Sequence, residues 1–256
     1  MGYGRQPKAE NDIKVEERLG SDQIIEDVYQ AWPRRLPDIA NETTWKRHAC
    51  FIVAGGESIH KININKLSSR ITIGVNKALV HFRPTLIYCQ DVPFVQAIST
   101  GKLNHTERYI DLQKMWNDYN GIKVLLSPMS RYDLPDKTVY YVRRLTKPKL
   151  MLDLTRGIWG GSNSGLGALM LAVAMGANPI YLLGFDMKAK GSTHSHGGYA
   201  DDRTLEGFNR TLSKYIADFA AMAIPLTNAG IEVINLNTER DTNLNCFPIV
   251  DPNAVL

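Results

Sequence analysis

"SNSGLGALMLAVAMGANPIYLLGFDM", Ser162 to Met187, is the stretch on which the fold turns. Residues 162–177 carry helical spacing and open an apolar helix, and residues 179–184 form a continuous apolar run with the texture of a strand. A strand that is apolar without alternation is one covered on both faces, as in a parallel sheet. Asp186 stands just past the end of that strand.

The same texture begins at about residue 48 and continues along the rest of the chain. Runs at 50–56, 71–75, 85–91, 122–126, 138–142 and 231–236 also read as strands. Residues 202–230 carry helical spacing, with a break expected near Pro225 and closure at Gly230. Strands alternating with helices predict an α/β chain, a Rossmann-like doubly wound and mostly parallel sheet with helices on both faces. Ligands of such sheets lie beyond the carboxyl ends of the strands, so the loops that follow strands are the places to look.

The first 20 residues are polar, of mixed charge and without a hydrophobic period. Next comes "SDQIIEDVYQAW", with Ser21 as N-cap, Ile24 and Val28 on one face, and Pro33 as a stop. This divides the chain into an N-terminal arm with a short amphipathic helix, 1–45, and a nucleotide-binding catalytic domain, 46–256. With 256 residues, 44% of them hydrophobic, the chain can bury a substantial core. Cys50, Cys89 and Cys246 are far apart and form no metal-binding spacing, so they read as reduced thiols of a cytoplasmic protein. No apolar run is long enough to span a bilayer, and no secretory signal opens the chain. The net charge of +4 is mild. Arg143, Arg144, Lys147 and Lys149 gather in one basic segment, which reads either as a solvated face or as a contact for a phosphate-rich partner. No nucleic-acid motif accompanies it.

Several post-strand loops carry candidate chemistry. Gly55 and Gly56 allow a tight turn or close approach to a ligand, and Ser58 can donate to a phosphate or cap a helix. Asn76 is either a turn former or an amide that reads a base or ribose. Asp91 is either a helix cap or a ribose or substrate contact. Gly160 and Gly161 lead into Ser162, Asn163, Ser164 and Gly165, where N–H groups, hydroxyls and a positive helix end suit an anion; the alternative is a capped helix whose Gly165 and Gly167 permit close packing. Beyond Asp186, the segment "GSTHSHGGY" places His194, His196 and Tyr199 close together. Imidazole can move protons near neutral pH, which makes His194, then His196, the candidate acid/base. Two histidines and one remote acid are too few for a metal site. His48, His60, His81 and His105 have no such companions and read as surface or core residues.

The segments "FIVAGGESI", "IGVNKAL", "TLIYCQD", "SGLGALMLAVAMGANPIYLLGFDM" and "GSTHSHGGY" occur in the order found in the MptE-like group, which the chain resembles over roughly residues 49–240. That group includes archaeal 6-hydroxymethylpterin diphosphokinases and motility-accessory flagellin glycosyltransferases, and is similar to bacterial sialyltransferases that use CMP-sialic acid. The resemblance implies a nucleotide donor held by Gly55, Gly56, Ser58, Asn76, Ser164 and Gly165, and the Gly-x-Asp…Lys-Ser-His pattern of the flagellin enzymes resembles Gly184, Asp186, Ser192 and His194 here. Glu57 stands where the group has proline. The expected activity is a nucleotide-dependent glycosyltransferase moving a sugar from a CMP-sugar-like donor to a hydroxyl acceptor. His194 or His196 would be the base, Asp186 would orient the donor or the loop, and the helix start Ser162, Asn163, Ser164 and Gly165 with Tyr199 would stabilise the departing phosphate. Two alternatives stand beside it. One is a diphosphokinase using ATP, with Mg²⁺ near Asp91 or Asp186; the other is a nucleotide-binding module without catalysis.

Overall fold

A computed structural model describes residues 21–102, 111–128, 134–188, 205–238 and 241–256. The strands are β1 (Cys50–Val53), β2 (Ile71–Val75), β3 (Leu86–Cys89), β4 (Ile122–Leu126), β5 (Tyr140–Val142), β6 (Ile180–Leu183), β7 (Val233–Leu236) and β8 (Ile249–Val250). The helices are α1 (Ser21–Gln30), α2 (Val92–Ser99), α3 (Leu112–Asn117), α4 (Ser164–Ala174) and α5 (Leu205–Asn228). All eight strands run parallel in the order β5-β4-β3-β2-β1-β6-β7-β8.

Side chains alternate across the sheet, and each face has its own cover. Cys50, Ile52, Ile73, Leu86, Tyr88, Val124, Ile180 and Leu182 share one core cluster with α4 and with Phe219, Met222 and Leu226 of α5. On the other face, Ile87, Cys89, Leu125 and Tyr141 pack with the apolar side of α2 and with Leu112 and Trp116 of α3. Phe51, Val53, Leu183 and Leu236 pack with Ile59 and Leu67 from short 3₁₀ turns. The chain is therefore an α/β, doubly wound, Rossmann-like sheet with helices on both faces. It builds outward from β1 to β5, returns through α4, and resumes at β6 on the other side of β1. The strand order reverses between β1 and β6, and an open parallel sheet offers its crevice at such a point.

Three features differ from the reading of the sequence. Helix α5 is not broken near Pro225 but runs on to Asn228. Proline costs it one backbone donor in its last turns, and the closure at Gly230 is intact: Gly230 N–H donates to Thr227 O at 3.0 Å and Ile231 N–H to Leu226 O at 3.0 Å. Strand β8 was not expected; two residues behind Pro248 are too few to show a period. The stretch from Val28 to Trp45, placed in an arm, is packed into the domain. Leu36 and Trp45 belong to the main core, Trp32 stacks on Tyr141 with ring centroids 4.1 Å apart, and Arg35 bridges to Tyr141 in parallel.

Candidate functional site

Because every strand is parallel, the loops after β1, β2, β3, β4, β6 and β7 leave the same edge of the sheet. Helix α4 packs across β1, β2 and β3. As the return connection from β5 to β6 it runs against the strand direction, which sets its N-terminus at that same edge.

At the reversal point, the loops after β1 and β6 are tied together. Ala54 N–H donates to Leu183 O at 2.8 Å, and Gly56 N–H to Gly184 O at 2.9 Å. Gly184 has φ +73°, and a Cβ there would lie 2.7 Å from the Ala54 carbonyl oxygen. A Cβ on Gly56 would overlap Gly184 O and come within 2.7 Å of the Asp186 Cγ. Only glycine fits at either position.

The approach of these loops brings Ser58 onto Asp186. Ser58 N–H donates to Asp186 Oδ2 at 2.9 Å, the Ser58 hydroxyl donates to Asp186 Oδ1, and Asn237 Nδ2 donates to Asp186 Oδ1 at 3.0 Å. Ser58, Asp186 and Asn237 are all buried. Three donors surround the carboxylate, so the geometry gives Asp186 the work of holding the β1, β6 and β7 loops in register. Asn237 was not among the residues singled out from the sequence. Its signal is the one that marked Asn76, an amide directly after an apolar strand run.

Beside this clasp lies the first turn of α4. Asn163 Oδ1 accepts from Leu166 N–H at 2.8 Å and caps the helix, which keeps the Ser164 and Gly165 amides outside the cap. A Cβ on Gly165 would lie 2.7 Å from the Phe185 ring, the residue before Asp186, so the helix start and the clasp are in contact. Gly167 sits directly on Tyr88. The close-packing role of these glycines is thus visible, and it is what brings the helix end to the strand ends. Ser162 is engaged elsewhere: its N–H donates to Asp218 Oδ2 of α5 at 2.8 Å, and its hydroxyl meets the same oxygen.

One strand further out, Asn76 adopts φ +53° and opens the 3₁₀ turn after β2. Its backbone N–H faces the Cys89 thiol, whose pKa burial pushes well up, while the neighbouring Asp91 charge pushes the same way. Asp91 is the N-cap residue of α2. Desolvation lifts its carboxyl above the usual carboxylate range, and the Phe94 amide partly offsets that. Gly55 lies in the β1 loop beside Gly56. His194, His196 and Tyr199 lie outside the described residues. Among the described residues no three His, Cys, Asp or Glu side chains converge as metal ligands, and no helix is long and apolar enough to cross a membrane.

No protein-family model matches the chain, and no curated protein matches it in sequence. Among solved structures, it is similar to a mammalian sialyltransferase crystal structure at a TM-score of 0.37 and 12% identity, over 89% of this chain and 86% of that chain. Similarity at that level carries no argument, and the architecture stands on the strand order given above.

Proposed function

We propose that this chain is a nucleotide-dependent group transferase, a glycosyltransferase that takes a sugar from a CMP-sugar-like donor to a hydroxyl acceptor. The observation that carries the reading is that the β1 loop, the β6 loop and the start of α4 meet at the reversal of strand order. In doubly wound sheets this is the position for a nucleotide. Gly55 and Gly56 supply a backbone without side chains for close approach, the Ser164 and Gly165 amides face developing charge on a phosphate, and Asn76 and Asp91 flank the crevice as base or ribose partners. Asp186 acts as a positioning residue by holding the two loops together.

The chemistry assigned to this crevice is displacement at the sugar carbon. A base removes the acceptor hydroxyl proton, the acceptor oxygen bonds to the sugar, and the carbon–oxygen bond to phosphate breaks with its electron pair on the nucleotide. His194 is assigned as that base with His196 as its neighbour, and Tyr199 is assigned to the leaving phosphate. The test is thermal shift with CMP, CDP, UDP and ATP, each with and without Mg²⁺, followed by mass spectrometry of any nucleotide that co-purifies. A selective rise in Tm with cytidine nucleotides is expected. A rise only with ATP and Mg²⁺ overturns the glycosyltransferase reading in favour of diphosphate transfer, and no response to any nucleotide overturns both.

A further inference from the structure

Past the end of β5, Arg143 and Arg144 point to opposite sides, as successive residues of an extended chain do. Arg143 is ion-paired with Glu26 of α1 at 2.6 Å. Arg144 has no such partner: among the described residues its side chain makes one hydrogen bond, from Nε to the Ser127 carbonyl at 2.9 Å, and no carboxylate stands beside it. Yet it is partly withdrawn from water, and desolvation pulls its guanidinium below the ordinary arginine range, with Tyr88 opposing. A charge taken out of water is ordinarily matched by a counter-charge.

The surroundings of Arg144 are those of the candidate site. Ser127 directly follows β4 and is fully buried. Arg144 bridges to Ile158, with Leu145 N–H on Ile158 O at 2.8 Å, and the chain from Ile158 runs directly into Gly160, Gly161 and α4. A Cβ on Gly160 would lie 2.5 Å from the Gln90 side-chain oxygen and 2.6 Å from Leu126. The ends of β3, β4 and β5 therefore close on the turn that starts α4, with Arg144 set between them. With Nε turned to the Ser127 carbonyl, the free edge of the guanidinium is the Nη1–Nη2 pair, which matches two oxygens of one phosphate.

We infer that Arg144 is a phosphate-binding residue at the β4–β5 end of the crevice, taking two oxygens of a phosphoryl group on the bound substrate through Nη1 and Nη2. The inference deepens the donor reading by naming what this end of the crevice holds. The Ser127 carbonyl fixes the orientation of the fork, and the ligand supplies the counter-charge that none of the described residues brings.

The experiment is differential scanning fluorimetry of the full chain at constant ionic strength with inorganic pyrophosphate, with malonate, and with sodium chloride alone. Pyrophosphate at millimolar concentration is expected to raise Tm by at least about 2 °C over chloride. Arg144→Met should abolish that rise, while Lys149→Met, at the exposed end of the same basic segment, should keep it. Equal rises in wild type and Arg144→Met, no rise in wild type, or protection by malonate as strong as by pyrophosphate would each overturn the assignment. Should Arg144→Met not fold, Arg144→Lys retains the charge without the fork; a fall of about tenfold in pyrophosphate affinity by calorimetry is expected, and unchanged affinity refutes the inference. CMP and cytidine separate this from the donor reading. An Arg144-dependent pyrophosphate response without CMP binding leaves Arg144 standing and removes the cytidine donor. CMP binding indifferent to Arg144→Met, together with an indifferent pyrophosphate response, does the reverse.

Discussion

At the scale of single residues, Asp186 ties three post-strand loops through one carboxylate. Its carboxylate accepts from Ser58 N–H, the Ser58 hydroxyl and Asn237 Nδ2, all in buried surroundings. Asp186→Ala strands those donors together and is expected to lower stability by about 3 kcal/mol in urea unfolding. Gly56→Ala acts on the same place by another route, since a methyl group there drives into Gly184 and Asp186. Its expected signature is a lower Tm together with loss of any nucleotide-dependent rise. A carboxylate merely touching ligand would give the second effect without the first.

Between elements, one buried ion pair fastens β4 to the segment before β5. Lys123 Nζ donates to Asp136 Oδ2 at 2.9 Å and to the Thr138 hydroxyl at 3.2 Å, while Trp116 Nε1 of α3 donates to the same Asp136 oxygen at 2.7 Å. Burial raises the Asp136 pKa, but the Thr138 and Lys123 hydrogen bonds outweigh it, so the carboxyl ends below its ordinary value. A depressed folded-state pKa gives stability that is present above the unfolded value of about 4 and is lost as pH falls through the folded value. Wild-type stability should thus decline on acidification below about pH 4. Lys123→Met should lower stability by about 3 kcal/mol near neutral pH and flatten that acid slope, read from urea midpoints at each pH. The helix ends supply a second comparison. Gly176 closes α4 at φ +86° and Gly230 closes α5 at φ +71°; a Cβ on Gly176 would overlap the Glu42 carbonyl, whereas nothing lies within 4 Å of one on Gly230. Gly230→Ala is expected to cost about 1 kcal/mol from backbone strain alone, and Gly176→Ala clearly more, both by thermal or urea unfolding.

For the molecule as a whole, the N-terminal stretch from Val28 to Trp45 packs against the sheet and its β5 edge. Tyr141 N–H donates to Arg34 O at 2.9 Å, so this stretch covers the β5 edge, and Leu36, Ala40 and Trp45 enter the core under the main face. A chain beginning at residue 46 loses that cover and those core side chains. It is expected to show a sharply reduced Tm or to aggregate, by fluorimetry and light scattering, because an uncovered strand edge invites pairing between chains. The boundary suggested by composition does not show in packing because the polar residues around it are interspersed with the few large side chains that pack.

Seven of the eight strands, the helices at α4 and α5, and the parallel α/β class were legible in the chain, because short apolar runs bounded by turn residues suit strands buried on both faces, and longer runs between them suit helices. Gly56, Ser58, Asn76 and Asp186 were legible as loop residues after strands for the same reason. What the chain alone could not convey was pairing across distance. Asn237 meeting Asp186 across 51 positions, Asp218 taking Ser162 across 56, and Arg144 left, among the described residues, without the kind of partner Arg143 has are consequences of strand order. Periodicity is a local property, set by which side of a strand or helix meets water, and it determined the elements and their class. Which carboxylate meets which donor depends on where the returning strand is laid beside β1, and only the tertiary structure decided that.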